Sequence, residues 1–266
     1  VLSPKDDRVD IDVRATVGNE SGADFRDARL KLVAGDVNRL SPAQPVAMER
    51  MMVKSMSFNA DMGQAAPEKF FEYHVYDVAR AVTLRNHDSR QIALASARGA
   101  AAKKFYVYDA QAGAGRPMMS SYTRTDPNYG LNADDAVWTI LEFINAADQG
   151  LGSPLPRGRA RVYKQDAKGA LQFVGEDEIG HTPQNERVRL KLGRVFDLVG
   201  ERKRTNHVAE KRSFEETFEV TVTNRKDQAV NVTAVERLNR WSAWKITASS
   251  KPFRKKDGQT VEFDLP

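Results

Sequence analysis

The chain contains no cysteine. That absence excludes disulfides, thiolate metal sites and cysteine nucleophiles together, and it leaves cytosol and cell envelope equally open as redox settings. No apolar run approaches the roughly 20 residues that a membrane-spanning helix requires. No segment repeats apolar residues at spacings of three and four behind a capping residue, so almost no helix is expected. Histidine is scarce, at four residues, which argues against a structural zinc site. A nucleophile elbow, a Walker loop and a dinucleotide fingerprint after a strand are all missing, and the glycines of residues 112–117 lack the strand and helix that a phosphate loop needs. The chain opens VLSPKDD, without initiator methionine, charged leader or apolar h-region, and is read as starting inside a longer protein.

What is present is a chain of 266 residues, 41% hydrophobic and 29% charged. That length suits one large domain or two ordinary ones, each with its own core, and two are expected. The 41 basic and 36 acidic side chains leave a net charge of +5. An excess of this kind favours polyanions, but opposite charges are interspersed nearly everywhere, as on an ordinary solvated surface.

The dominant rhythm has period two. In VDIDVRATV, the apolar Val9, Ile11, Val13, Ala15 and Val17 share one face, with Asp10, Asp12, Arg14 and Thr16 on the other, the pattern of a half-buried strand. Further strands are expected at Ala28–Val33, Phe70–Asp77, Ala81–Leu84, Arg90–Ser96 and Lys103–Asp109, with RNHDS read as a hairpin turn. About nine more follow, beginning with VWTILEFIN and including Arg159–Lys164, Leu171–Gly175, Arg187–Leu192, Val195–Arg204, Phe214–Asn224, Val230–Val235, Trp241–Thr247 and Thr260–Leu265. Asp166 and Gly169 suit a type I turn closed by a left-handed glycine. Three strands end at an asparagine before a polar turn, at Asn19, Asn145 and Asn224. This weak repeat is attributed to the tolerance of asparagine for left-handed backbone. The expected architecture is all-β, two antiparallel immunoglobulin-like or fibronectin-like β-sandwiches with almost no helix. They divide as residues 1–132, with a long Met-rich loop at 40–69, and residues 133–266. Five of the seven methionines fall between Met48 and Met62, where no other soft metal ligand accompanies them.

The best candidate for chemistry is GEDEIGHTPQNE, which places Glu176, His181 and Glu186 within a dozen residues. An imidazole beside carboxylates can bind a divalent cation or transfer protons. Its spacing matches neither a helical zinc pattern nor a calcium loop, and a hairpin loop satisfying its own backbone is the competing reading. No catalytic residue, metal or cofactor is assigned. His74, among aromatics, reads as a hydrogen-bonded core or sheet histidine. Arg159, Arg161, Arg187, Arg189 and Lys191 share outward parity, with Glu215 and Glu219 as possible partners. Basic residues near aromatics, namely Arg202, Arg204, Trp241, Trp244, Lys251 and Arg254, form a candidate surface for a glycan or other polyanion.

NESGADFRDARLKLVAGDVNRL, EYHVYDVARAVTLRNHDSRQIAL, GLGSPLPRGRARVY and GEDEIGHTPQNERVRLKLGRVFDLVGERKRT, in that order, resemble successive blocks of a bacterial domain family of unknown function, the C-terminal part of mucoidy-inhibitor-like proteins. The resemblance lapses in the Met-rich loop and at residues 110–132. It implies an exported, cell-envelope protein with further sequence upstream, and supplies no activity or cofactor. The family pattern includes the positions of Gly175, Glu176, His181, Thr182, Pro183, Glu186, Gly193, Phe196, Asp197 and Arg202.

These observations lead to an expected non-enzymatic β-sandwich module acting through a protein partner or as a homo-oligomer, with nucleic acid disfavoured. A hydrolase or metal enzyme centred on GEDEIGHTPQNE and a polyanion-binding surface are the alternatives.

Overall fold

The alternation of the first apolar stretch becomes a strand over its whole length. β1 spans Arg8–Asn19, and its side chains alternate between shielded and exposed from Val9 to Gly18. The computed structural model describes residues 1–35, 68–70, 73–78, 80–112, 126–211 and 213–266. The Met-rich segment expected at 40–69 lies outside the described residues, except for the first two residues of β4. Residues 113–117 of the glycine-rich loop lie outside them too.

The chain is all-β. The remaining strands are β2 (Phe25–Ala28), β3 (Lys31–Ala34), β4 (Glu68–Phe70), β5 (Tyr73–Asp77), β6 (Val82–Leu84), β7 (Asp88–Asp109), β8 (Ala136–Ile144), β9 (Gly158–Gln165), β10 (Leu171–Ile179), β11 (Arg187–Ala209), β12 (Phe214–Asn224), β13 (Val232–Arg237), β14 (Phe253–Lys255) and β15 (Thr260–Leu265). Among the described residues the helical element is a single 3₁₀ turn at Ala147–Gln149.

Two strands are far longer than their local patterns suggest. β7 runs through 22 residues where two strands were expected. Its alanine-rich middle stays extended because the register against β1 shifts between Val9 and Ile11. There Gly99 takes a φ of +63° and donates its N–H to Asp10 Oδ1 at 2.7 Å. β11 likewise runs through 23 residues, and register shifts against β8 on both sides of Gly193 replace the expected bend. A bulge re-aims a strand without ending it.

The largest sheet follows the order β12-β11-β8-β7-β13-β15-β14, with β1 also on β7. Its ladders are antiparallel apart from β13 on β7, which is parallel. The sheet does not part at residue 132: β7 pairs with β8 from Ala102–Phe143 to Tyr108–Val137 and with β13 from Tyr106 to Asp109. The expected division into 1–132 and 133–266 therefore cuts hydrogen-bonded neighbours apart, because β7 supplies the ladder on which the C-terminal strands are laid.

Three corrections are local. RNHDS turns the chain, with His87 at positive φ, but β6 pairs with β2 and β7 with β1, so no hairpin forms. Trp241–Thr247 is an irregular connection, pinned by the Trp244 indole donating to the Gly258 carbonyl at 2.8 Å. The edge position goes instead to β14, which pairs with β15. The three strand-ending asparagines also work differently from the expectation, since none has positive φ. Their side chains close the turns instead: Asn19 Oδ1 accepts from Ser21 N–H at 3.1 Å and Asn224 Oδ1 from Lys226 N–H at 2.9 Å. Asn145, fully buried, accepts from Gly152 and donates to the carbonyls of Ser153, Thr182 and Pro183. The turn at Asp166 and Gly169 is as expected, with Gly169 at φ +81° and Asp166 Oδ1 accepting from Lys168 and Ala170.

Two apolar cores result. The first gathers Val9, Ala97, Ala100, Leu141, Phe143, Val162, Val188 and Leu190. The second holds Tyr108, Ala110, Val137, Leu198 and Val232. β7, β8 and β11 contribute to both. In the second core the Tyr108 ring lies on Gly200, where a Cβ would come within 2.0 Å of a ring carbon. The phenol donates to the Asp134 carbonyl at 3.0 Å, and burial pushes its pKa up to about 12. Gly200→Ala must displace this ring and is expected to cost about 1–3 kcal/mol in urea unfolding, whereas Tyr108→Phe, which loses one hydrogen bond, costs about 1 kcal/mol. Equal costs for the two would contradict this packing.

Candidate functional site

The carboxylates and imidazole of the GEDEIGHTPQNE segment do not converge. Its first half belongs to β10 rather than to a loop, and β10 pairs with β9 so that Glu176 faces Arg161. Glu176 accepts from Arg161 at 3.3 Å and lies 3.7 Å from Arg159, both on the exposed face. His181 follows β10, and its Nδ1 accepts from the Arg157 amide at 3.3 Å. Glu186 is engaged through its backbone, its carbonyl accepting from Asn145 N–H at 2.9 Å. Among the described residues no group of three or more His, Asp or Glu side chains is arranged to hold a metal ion. An open hollow of about 470 Å³ does lie beside His181, between Val33–Gly35 and Arg157, Arg159 and Glu178. Among the described residues that line it, no nucleophile is paired with a base.

The outward arginines find partners that parity alone did not identify. Arg187 and Arg189 meet Glu142 on β8 at 3.5 and 2.6 Å, while Arg159 and Arg161 share Glu176. Glu215 and Glu219, expected in that role, sit elsewhere, on β12 opposite Val208 and Lys203. Lys191 stacks over the Trp138 ring, 3.5 Å from its centroid.

The densest polar assembly is buried at the second core, and it removes two residues from the expected binding surface. Arg202 is not a surface group: its side chain is 3% exposed and that of Glu236 10%. Its Nε donates to both Glu236 oxygens at 3.1 and 2.9 Å, its Nη1 donates to the Gly130 carbonyl at 2.8 Å, and the guanidinium lies 3.7 Å from the Phe218 ring centroid. Arg204, also shielded, donates to the Pro127 carbonyl and to Glu216 at 3.1 Å. Arg240 completes the group, donating to Glu216 Oε2 at 2.9 Å and to the carbonyls of Asp126 and Tyr129. His207 Nδ1 lies 3.2 Å from the same carboxylate. Arg237 forms a fork on Asp109 with contacts of 3.1, 3.1 and 2.6 Å. Paired forks of this type are the strong, directional class of charge-assisted hydrogen bond. Their donors are spent on carboxylates and on the carbonyls of residues 126–130, so the assembly clamps that loop to β11, β12 and β13.

Sequence reasoning missed Glu216, Glu236, Asp109 and Arg240. One signal was legible: Glu216 shares the shielded parity of β12 with Phe214, Phe218, Val220 and Val222, and a carboxylate in an apolar register needs a cation. Burial works to raise the Glu216 pKa, but Arg240 and Arg204 outweigh it and hold it below 4.5. Asp6 behaves alike, with burial outweighed by hydrogen bonds from Lys104 and Lys164.

The remaining surface candidates lie near the β14 edge. Trp241 is 49% exposed, Trp244 lies under Lys255 at 5.0 Å, Arg254 pairs with Asp264 and Glu262, and Lys251 is exposed. His74 is half-buried on β5, and its Nδ1 is buried and meets no hydrogen-bond partner among the described residues. No protein-family model, curated protein or solved structure matches the chain.

If the arginine assembly is structural, Arg202→Met, which strands Glu236, destabilises by about 3–5 kcal/mol, while Arg202→Met with Glu236→Leu recovers most of that loss. A harmless single variant in urea unfolding would contradict the clamp. The pH dependence follows from the depressed carboxylates. Their stabilisation is complete above the ordinary carboxylate pKa and disappears as pH falls through the lower folded values. Thermal unfolding midpoints should therefore drop below about pH 4, and less so in Glu216→Gln.

Proposed function

We propose that this chain is a non-enzymatic interaction module that engages a protein partner along an edge of its sheet. The observation that carries this reading is β12, an 11-residue strand at the end of the sheet with no further strand beside it among the described residues. Exposed backbone donors and acceptors on such an edge are a template for strand addition. The scattering of Glu176, His181 and Glu186 into separate contacts supports interaction over catalysis. Layers of sheet closed over two apolar cores support placing the fold with immunoglobulin-like sandwiches. The sequence resemblance supports an exported, envelope setting.

A second reading has one favouring observation. Half-exposed Trp241, exposed Lys251 and the Lys255–Trp244 stack lie close together in sequence beside the β14 edge, a composition suited to anionic glycans. Retention on heparin that falls steeply with salt and is lost in Lys251→Glu with Lys255→Glu would favour it.

The principal reading is tested with a photo-cross-linking residue at Thr217 or Thr221 on β12 and at Lys255 on β14, in cells. Protein adducts from the β12 positions alone are expected. Adducts from neither edge would contradict the proposal.

A further inference from the structure

The two edges of the large sheet are built differently. β14 is three residues long, is preceded by Pro252, and exposes Arg254 and Lys255. Short length, proline and charge are the usual devices that stop a sheet edge from pairing. β12 is long and contains no proline and no lysine, its charges being Glu215, Glu216 and Glu219, with Glu216 spent on Arg204 and Arg240, and the irregularity in its ladder lies on β11, between Arg204 and Asn206. Its inward-facing Phe214, Phe218, Val220 and Val222 are only half-buried, so a further strand would cover apolar surface as well as satisfy backbone groups.

Backbone alternation fixes which groups face outward. Arg225 N–H donates to Asp197 at the β11 side at 2.8 Å, whereas Gly200 N–H points away from β12, to Asp135 at 2.9 Å. Odd-numbered residues of β12 therefore spend their backbone groups on β11, and even-numbered ones from Phe214 to Asn224 present theirs along the open edge.

Resting on the interaction reading above, we infer that the occupant of this edge is a second copy of the chain, paired antiparallel about a two-fold axis at Val220. In that register the edge-facing Val220 meets its copy in a hydrogen-bonded pair, and Phe218 meets Val222 twice on the shielded face. On the exposed face Glu219 opposes Thr221, Thr217 opposes Thr223, and Glu215 opposes Arg225, giving two opposite-charge pairs by symmetry. Moving the axis one residue to Glu219 sets that carboxylate against its own copy. Moving it to Thr221 sets Arg225 against Thr217 and leaves Glu215 without its cation. Of these three registers charge favours the one centred on Val220; an axis at Val222 would set Glu219 against Arg225 instead, and only the Val220 axis opposes positions 219 and 221.

The test uses sedimentation equilibrium at high micromolar concentration together with disulfide trapping, which is unambiguous in a chain without cysteine. The expected mass is twice 29.7 kDa. Val220→Pro removes an edge-facing N–H and trims a side chain packed on the second core, while the ladder to β11 is kept, so it is expected to keep the far-ultraviolet dichroism of the parent and to weaken dimerisation at least tenfold. Glu219→Cys with Thr221→Cys places opposed thiols in a non-hydrogen-bonded pair and is expected to oxidise to a covalent dimer. Glu215→Cys with Thr221→Cys, which are not opposed, is not. A monomeric parent, or equal trapping in the two cysteine variants, would overturn the inference. A monomer that still forms β12 adducts with another protein would overturn self-pairing alone and leave the interaction module standing.

Discussion

The structure depends on three strands that each serve two cores. β7 carries Ala97 and Ala100 into one and Tyr108 into the other, β8 divides Leu141 and Phe143 from Val137, and β11 divides Val188 and Leu190 from Leu198. A strand that crosses between cores must change its twist and direction without losing its ladder, which is the work of bulges. On β11 the irregularities around Gly193–Leu198 sit between Leu190 of the first core and Leu198 of the second, whereas the bulge at Gly99 on β7 lies within the first core, between Ala97 and Ala100. One consequence is visible at Phe196, which the second of these irregularities leaves 95% exposed. Tyr108 seated on Gly200 then locks β7 to β11 beyond the crossing, with β8 between them in the sheet.

The arginine assembly follows from the same geometry. Extending β11 past the second core carries Arg202 and Arg204 inward, where a desolvated guanidinium is tolerated only beside carboxylates and carbonyls. Glu236 on β13 and Glu216 on β12 supply the charge, and the carbonyls of residues 126–130 take the remaining donors. A loop held this way needs little apolar contact of its own. Among the described residues the outer edge of β12 has no strand beside it, and the interaction proposed above would use that edge.

Much of the fold was legible because period-two patterning is local. Val9 to Val17 alternates in sequence as it does in burial, and the same holds for β12. The joining of two patterned segments into one strand was not legible, since ASARGAAA and LGRV carry no apolar rhythm and their extension is imposed by neighbouring strands. The division at residue 132 failed for this reason. Asn19, Asn145 and Asn224 were identified as a repeated device, but its basis, side-chain capping of turn carbonyls and amides, depends on contacts several residues away. The candidate chemical group was chosen by proximity in sequence, and a strand sends adjacent residues to opposite faces. Glu216, the carboxylate that gathers three basic side chains, was passed over in favour of its neighbour Glu215 and of Glu219, both of the opposite parity.

The central claim, that β7, β8 and β11 tie both cores into one cooperative unit, is tested most directly by native-state amide hydrogen exchange under increasing denaturant. The account predicts that slow amides of both cores, such as Leu141 and Leu190 in the first and Val137 and Leu198 in the second, converge on a single opening free energy with a shared denaturant slope. Two separate isotherms, one core opening several kcal/mol before the other, would contradict it.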